Sequence, residues 1–468
     1  MQDAHFDDDL SPVVNRFEQM LRNNEAYYFE KHDLEDIVDY YISGNHHQKA
    51  LKAIGFARGQ YPDSTFFILR KSQLLAADGQ YDKALRMLSD IEIFEPGNPE
   101  VHITRGSIFS MTGRPIDAIE AYKAALRIDR RMEEVYLFIA FEFQNMNKYA
   151  QAARYLRRCL ELNPDNEAAL YEMSLCFDIS NKVKGGIRFF NDFLDKHPYS
   201  KVAWYALGQL YSKQQKFKLA TEAFDFALVV DEDFSAAWFN KANSLAAQEK
   251  YAEAIDCYKE TFRLEEPDAT SFLYIGECYE NMEQYDEAFR YYQKATELDE
   301  YLPDAWVGLG VVLDFQGKTY EGLPYVRKGI TIDPMRGTFW FILGDMQLKL
   351  ERKEDAEESY KKVIELEPDN PEIWIFLSNL LLDMLRKEEA LDVILEGQKT
   401  LPDDARILYQ LAEVQLHNAL TQEALVTAVA ALHRNFPLYE KIADELPRFG
   451  MNAEIRRLIQ SYNNPHER

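Results

Sequence analysis

Cysteine, histidine and acidic side chains are the residues of this 468-residue sequence that could bind a metal or perform catalysis. Zinc sites need ligands at short fixed spacings such as CxxC or HExxH, and neither occurs here. The nine histidines are scattered, and only His46 and His47 are adjacent. We therefore expect surface histidines without a metal, and buried thiols at the four cysteines, Cys159, Cys176, Cys257 and Cys278.

Sequence motifs of catalysis are also missing. The chain has no GxxxxGK[ST] phosphate loop, no GxGxxG turn and no GxSxG nucleophile elbow. Acid pairs such as Asp36 and Asp39 could act as a general acid and base, but a solvated helix face explains their spacing. We predict no catalytic residue, no cofactor and no enzymatic activity.

Composition and charge limit the partners. The chain is 47% hydrophobic and 28% charged, which is typical of a folded protein, and its net charge is -26. Nucleic acids and anionic membranes attract clustered lysine and arginine, so both are disfavoured as partners. The N-terminal MQDAHFDDDL lacks the basic and apolar segments of a signal peptide. We expect a soluble, cytoplasmic protein.

A 34-residue period organises most of the chain. Twelve windows of this length, counted from Lys31, end at Leu438 without an insertion. Position 20 of the window is alanine in ten windows and glycine in two, and all five tryptophans fall on position 4. Proline recurs at position 32, as in Pro164 and Pro368. Internal repetition of this length indicates a stack of similar units.

Each window predicts two antiparallel helices. Apolar or small residues at positions 4, 7, 8 and 11 form one face of a first helix, and positions 17, 20, 24 and 27 form one face of a second. Turn-forming residues such as Gly79 and Gly113 lie between them, and proline at position 32 ends the second helix. Small residues at positions 8 and 20 suggest that the two helix backbones approach closely there. One helix pair cannot bury its own apolar faces, so the windows must stack into a solenoid.

This pattern resembles the tetratricopeptide repeat family. The window from residue 201 shows the family's motif in full, with Trp204, Leu207, Gly208, Tyr211, Ala220, Phe224 and Ala227. The resemblance covers residues 31–438 and implies an all-α fold, an α-solenoid in which stacked antiparallel helix pairs form a right-handed superhelix. It also implies a protein-binding scaffold, because repeats of this family generally bind other proteins.

The remaining segments are predicted to cap the repeats. Residues 1–30 form a capping helix with a loose start, residues 31–438 twelve repeats, and residues 439–468 short capping helices and a tail. In the N-terminal cap we expect Ser11 at the start of the helix and Val14, Phe17 and Leu21 on its buried stripe. Within the repeats, Gly322 and Pro324 should weaken one second helix, and whether they form a hinge stays open.

The first helices should present an acidic and aromatic surface. Positions 2, 5, 6, 9, 12 and 13 lie opposite the packed face, and in the tetratricopeptide family this side lines the concave groove. Here these positions hold 15 acids and four bases. Position 5 aromatics could instead pack between neighbouring helices, whereas aromatics at positions 6 and 9 are harder to bury.

These positions predict the partner-binding residues and the type of partner. We expect contacts from Phe138, Phe141, Tyr171, Glu172, Asp178, Tyr205, Gln209, Phe239, Asn240, Asn243, Tyr274, Glu277 and Phe376. The cations with which some members of the family hold a C-terminal carboxylate are missing, so the expected partner is a basic protein segment that also carries apolar residues. A regulatory subunit or chaperone-like module that modulates a partner enzyme is the alternative, and the oligomeric state stays open.

Overall fold

The computed structural model describes residues 7–23 and 27–463, and over these ranges the chain is helical and contains no strand. The chain divides into two compact units between Glu232 and Asp233, inside the series of windows. The sequence predicts loose ends at residues 1–10 and 463–468; residues 7–10 and Asn463 are helical instead, and residues 1–6 and 464–468 lie outside the described residues.

Thirteen helices form the first unit. They are α1 Asp7–Asn23, α2 Lys31–Ser43, α3 His47–Gln60, α4 Thr65–Ala77, α5 Tyr81–Phe94, α6 Pro99–Met111, α7 Pro115–Ile128, α8 Glu133–Asn145, α9 Tyr149–Leu162, α10 Glu167–Ile179, α11 Val183–Leu194, α12 Lys201–Lys213 and α13 Phe217–Val230.

The second unit continues the same pattern and ends in shorter segments. Its helices are α14 Ser235–Ala246, α15 Tyr251–Leu264, α16 Ala269–Asn281, α17 Tyr285–Leu298, α18 Pro303–Phe315, α19 Thr319–Ile332, α20 Gly337–Lys349, α21 Lys353–Leu366, α22 Pro371–Asp383, α23 Lys387–Thr400, α24 Ala405–His417, α25 Thr421–Ile442, α26 Pro447–Met451 and α27 Ala453–Asn463. A 3-10 turn at Ala443–Glu445 joins α25 to α26.

Helix boundaries follow the 34-residue period closely. Each first helix begins at position 1 of its window and each second helix at position 17, from α2 and α3 through α24 and α25. The predicted helix pairs and their register are therefore confirmed. The fold is an all-α solenoid within each unit, because consecutive pairs bury their apolar faces against one another.

The turn between the two helices of a pair uses a left-handed residue at position 15. All twelve windows place a positive φ there, at Asn45, Gly79, Gly113, Asn147, Asn181, Gln215, Glu249, Glu283, Gly317, Glu351, Leu385 and Ala419. The following amide, such as Gln80 N, donates to the carbonyl five residues earlier, 2.8 Å away at Leu75. This geometry satisfies the last carbonyls of the first helix. The turns predicted at Gly79 and Gly113 are confirmed.

Leu385→Gly should stabilise the second unit. Leu385 has φ 61° and is 80% exposed, so its side chain contributes little packing. A Cβ in the left-handed region costs about 1–2 kcal/mol, and the extra flexibility of glycine in the unfolded chain offsets part of the gain. We expect a net increase of about 0.5–1 kcal/mol in the free energy of unfolding, measured by urea denaturation. Leu385→Ala, which keeps a Cβ, should change it little; an equal gain there would contradict this account.

Glycine at position 8 makes room for an aromatic ring. A Cβ added to Gly208 would lie 2.5 Å from the ring of Phe224, and one added to Gly344 would lie 2.5 Å from that of Tyr360. Both rings belong to position 24 of the same window. The expected close approach of two helix backbones is therefore wrong for these windows, because the small residue accommodates a ring inserted between the helices.

The window from residue 303 does bring the two backbones together. It has Val326 at position 24, and a Cβ on Gly310 would lie 2.8 Å from the carbonyl oxygen of Gly322. A Cβ on Gly322 would lie 2.5 Å from the carbonyl oxygen of Gly310. The second helix of this window, α19, runs unbroken from Thr319 to Ile332 with Pro324 inside it.

Gly310→Leu should lower the free energy of unfolding by about 1–3 kcal/mol, because the new side chain must separate α18 from α19. Thermal and urea unfolding followed by circular dichroism would measure this loss. Gly55→Leu is the matched control, since a Cβ added to Gly55 in α3 would meet no side chain or packed backbone within 4 Å. Equal losses in both variants would show that leucine acts through something other than this contact.

Tryptophan at position 4 joins one window to the next. The indole nitrogen of Trp204 donates to the carbonyl of Pro198 at 2.8 Å, and that of Trp374 donates to Pro368 at 3.0 Å. Trp306 and Trp340 make the same bond to the residue six positions earlier. In these four bonds the acceptor is position 32 of the preceding window, a carbonyl in the connection that leads into the next first helix. This bond physically links two recurrent positions of the sequence pattern.

The two ends of the chain pack on the terminal windows. In α1 the buried side chains are Val14, Phe17 and Met20, whereas Leu21 is 46% exposed, so the predicted stripe is shifted by one residue. The helix begins at Asp7, which places Ser11 inside it and makes the predicted cap wrong.

The C-terminal segment departs from the sequence prediction in one place. The sequence pattern predicts one short helix over residues 438–449, but α25 continues to Ile442 across a non-helical residue at Asn435, and α26 starts at Pro447. The predicted last helix is confirmed as α27.

Candidate functional site

The predicted contact residues lie on first helices in three places. Phe138 and Phe141 are on α8, Tyr171, Glu172 and Asp178 on α10, and Tyr205 and Gln209 on α12, all in the first unit. Phe239, Asn240 and Asn243 are on α14 and Tyr274 and Glu277 on α16, in the second unit, where Phe376 lies on α22.

Neighbouring first helices bring some of these rings together. The ring centroids of Tyr171 and Tyr205 are 6.3 Å apart, and those of Phe239 and Tyr274 are 5.9 Å apart. Edge-to-face and tilted contacts at these distances are favourable. The structure therefore pairs aromatic rings on this face in both units, and in the second unit Phe341 and Phe376 form a further pair with centroids 5.3 Å apart.

The candidate aromatics differ in exposure. Tyr171 is 40% exposed and Phe376 44%, whereas Tyr205 is only 8% exposed. Phe138 and Phe141 are half-buried, and Phe138 lies against the ring of Tyr122 at 5.6 Å. Tyr171 and Phe376 are accordingly the predicted aromatics with most surface available to a partner.

Several candidate polar groups already have partners within the chain. The hydroxyl of Tyr258, at position 24, donates to the Asn243 side chain at 2.5 Å, and the Asn240 amide donates to the Ala236 carbonyl at 2.9 Å. Gln209 donates to the Tyr205 hydroxyl at 2.9 Å. These amides support the helices, and a partner would have to compete for them.

Ion pairs between adjacent windows engage the basic residues of the first-helix face. Lys213 pairs with Asp178, and Lys349 lies 2.5 Å from Asp314. The other two bases of this face pair similarly, Arg70 with Asp39 and Glu100, and Arg406 with Glu372. Glu172 accepts a hydrogen bond from Gln144 at 2.7 Å. Thus Asp178 and Glu172 are anchored side chains.

Acids accumulate around α16. Glu277 is exposed, but surrounding protein displaces much of its water, and this desolvation, with repulsion from Glu280 and Asp304, raises its pKa to about 7. Burial also raises the pKa of Glu280, although the hydroxyl of Tyr292 donates to it at 2.6 Å and opposes the rise. A cation brought to this cluster would favour the ionised form of Glu277.

Glu277→Gln should remove part of the pH dependence of stability. Because the folded pKa of about 7 exceeds the ordinary value of 4.5, the unfolded chain releases this proton first, and stability falls as pH rises between those values. The variant should therefore resist urea better than the parent at about pH 8 and equally at about pH 4. Glu266→Gln, an exposed acid before α16, is the control. Parallel curves for the parent and Glu277→Gln would contradict the shift.

A pocket of about 690 Å³ lies where the C-terminal segment meets α22 and α24. We call this the C-terminal pocket; its lining includes Phe376, Asn379, Asp383, Arg406, Gln410, His417, Ile442, Glu445 and Leu446. Phe376 provides an exposed apolar surface, and Asp383 and Glu445 provide carboxylates. Neither carboxylate forms an ion pair within residues 7–23 and 27–463.

Glu413 holds the wall of the C-terminal pocket in place. It is 2% exposed, and its carboxylate accepts from the amides of Phe449 at 2.6 Å and Arg448 at 3.0 Å. A carboxylate at the start of α26 satisfies amides that the helix leaves unpaired. His417 lies 3.3 Å from Glu413, and burial, assisted by Arg448, lowers its pKa. The imidazole therefore adds little positive charge to the pocket near neutral pH.

The predicted contacts omit four residues of these surfaces. Leu175 and Ile179 are 43% and 50% exposed and continue the stripe of Tyr171 along α10. They occupy positions 9 and 13, so the period could have found them had aliphatic residues been considered. Asp383, at position 13, is one of the 15 acids of this face but not one of the predicted contacts, whereas Glu445 lies beyond the windows, where the period gives no signal.

The groups considered for metal or thiol chemistry are accounted for. All four cysteines are buried free thiols, as predicted, and burial raises the pKa of Cys159 to about 11. Within the described part of the chain, no three His, Cys, Asp or Glu side chains are grouped to hold a metal ion. None of the helices described here is long and apolar enough to cross a membrane.

Sequence comparison places the chain in a family. Models of the tetratricopeptide repeat match residues 133–166 and 202–233, residues 233–301, residues 309–371 and residues 348–414. Together these matches cover about half of the chain, and they fall on α8 and α9 and on α12 to α24. The chain belongs to the tetratricopeptide repeat family.

Individual relatives are distant. The human protein O-mannosyl-transferase TMTC3 is 28% identical over 106 residues, which is 22% of this chain and 11% of that protein. The crystal structure of the APC/C hetero-tetramer Cut9-Hcn1 is 17% identical, with 88% of this chain and 94% of that one covered and a TM-score of 0.41. YrrB, described as a TPR protein with an unusual peptide-binding site, is 23% identical over 42% of this chain and 97% of its own, with a TM-score of 0.33.

Proposed function

We propose that this protein is a non-enzymatic scaffold that binds a basic, apolar-containing segment of another protein on the first-helix face. Protein and peptide binding is the general role of its family. The C-terminal pocket carries the finer proposal, because it combines an exposed ring with carboxylates that have no cation of their own.

The charges of the C-terminal pocket favour a basic residue. Arg406 is committed to Glu372, and the lowered pKa of His417 leaves it largely neutral. Asp383 and Glu445 therefore dominate the local charge. A lysine or arginine could pair with them while its aliphatic stem, or a neighbouring apolar residue, covers Phe376.

Two further places on first helices support the same preference. In the first unit, Tyr171, Leu175 and Ile179 form an exposed apolar stripe beside Glu172. In the second unit, Tyr274 adjoins the acids around Glu277. Apolar surface bordered by carboxylates is the composition that a basic, apolar-studded segment would complement.

The non-enzymatic part of the proposal rests on the absence of catalytic motifs from the sequence. The human relative carries a transferase name, but the match spans only 11% of that protein and 22% of this chain. Repeats alone account for a match of this length, so we do not extend its activity to this chain.

Phe376→Ser should weaken binding of a basic, apolar peptide about 30-fold, because loss of an aromatic anchor costs about 2 kcal/mol. Fluorescence anisotropy with a labelled library of peptides that combine lysine or arginine with leucine or phenylalanine would measure it. Phe94→Ser is the control, since Phe94 is 77% exposed on the second helix α5. The pair Asp383→Lys and Glu445→Lys should also weaken binding, and more strongly at low salt. If these variants bind the whole library as well as the parent does, the C-terminal pocket is not the binding site.

A further inference from the structure

A second pocket, of about 550 Å³, opens between the second helices α9 and α11 in the first unit. We call it the basic pocket. It is lined by Arg157, Leu160, Glu161, Pro164, Gly185, Arg188, Phe189, Asp192, Phe193, Lys196 and His197. Arginine, lysine and histidine thus outnumber acids in its lining, in a chain whose net charge is -26.

The cations of the basic pocket are available to a ligand. Arg188 and Lys196 are exposed, and neither forms an ion pair with any residue of 7–23 or 27–463. Glu161, one of the two acids in the lining, is already paired with Arg158 at 2.7 Å. Elsewhere on this protein the bases of the first-helix face are neutralised by acids from adjacent windows. The lining of this pocket thus holds two exposed bases without an ion pair among the described residues, with Asp192 between them in the sequence, and bases of the same kind occur elsewhere, as at Lys216 and Lys218.

Aromatic rings form a row along the basic pocket. Phe189 and Phe193 are stacked with centroids 6.1 Å apart, and the ring of His197 lies 4.8 Å from Phe193. The Arg157 guanidinium lies 5.2 Å from the Phe189 ring centre, which holds it by a cation–π contact. A guanidinium fixed in this way keeps its donors free for a carboxylate and loses less entropy on binding.

Two departures from the repeat pattern create the pocket. Gly185 occupies position 19, where most other windows carry a charged side chain, and this leaves the space beside Phe189 open. In addition, α11 ends early. Its last residue, Leu194, lies two positions before position 30, where other second helices end. Lys196 and His197 follow this early helix end and line the pocket.

We infer that the basic pocket binds an extended acidic segment of a partner protein, with carboxylates about four residues apart. Arg188 lies in α11 and Lys196 two residues after its end, and because Asp195 keeps helical dihedral angles the eight residues span about 12 Å at 1.5 Å per residue. An extended peptide covers that distance in about four residues at 3.3 Å each. Separated cations with rings between them suit such a segment better than a single small anion, which needs donors that converge. The inference is independent of the proposed first-helix function, because these residues lie on second helices or directly after them.

Two labelled peptides of equal composition would test the inference on the full chain by fluorescence anisotropy. One carries glutamate at every fourth residue, and the other carries the same glutamates in one block. We expect the spaced peptide to bind at least about tenfold more tightly, and Arg188→Glu with Lys196→Glu to abolish that preference. Lys216→Glu with Lys218→Glu makes the same charge change on exposed residues outside the pocket and should preserve it.

Three results would overturn the inference. Equal losses in the two double variants would show that only the total charge of the protein matters. Equal affinity for both peptides, with displacement by inorganic phosphate, would indicate a site for a small anion. Unchanged binding by Arg188→Glu with Lys196→Glu, when circular dichroism shows native helicity, would place the acidic segment elsewhere. Loss of the preference in that variant alone would support the inference.

Discussion

Insertion of an aromatic ring at position 24 beside a glycine at position 8 is the contact on which four of the twelve helix pairs depend. It sets the separation of the two helices in a repeat, as Gly208 with Phe224 and Gly344 with Tyr360 illustrate. Where the ring at position 24 is a tyrosine, its hydroxyl extends between the two helices of the repeat and reaches the other side of the first helix. There the hydroxyl of Tyr258 donates to Asn243, and the hydroxyl of Tyr360 donates to Asp345, both at 2.5 Å. The core thus fixes polar groups on the surface that we propose for binding.

Charge on the first-helix face is arranged by the same stacking. Acids and bases separated by about one repeat come together when windows stack, so Lys213 meets Asp178 and Lys349 meets Asp314. Exposed pairs of this kind contribute little stability individually. Their larger effect is that they determine which acids remain without a cation. A basic partner would gain the most binding energy at those acids.

The fold could be predicted from the sequence because its determinants are local and repeated. Helix starts and the left-handed turn residue recur in every window, and the structure follows them from α2 to α24. The candidate site was less predictable, because side-chain pairing depends on contacts between windows. The period marks Asp178 as a surface acid but does not say that Lys213 will neutralise it. Glu445 reaches the C-terminal pocket only because α25 breaks at Asn435, and nothing repeats there to reveal the break.

Junctions between repeats that contain the hydrogen bond from the position 4 indole to the position 32 carbonyl are equivalent to one another. Trp204 on Pro198 and Trp374 on Pro368 use the same atoms at nearly the same distance. A gene rearrangement that removes or duplicates a whole number of repeats rejoins an indole to a suitable carbonyl, whereas a change of any other length separates them. The length of this protein can therefore vary in evolution by units of one repeat, while a shorter insertion or deletion at a junction disrupts both of its neighbours.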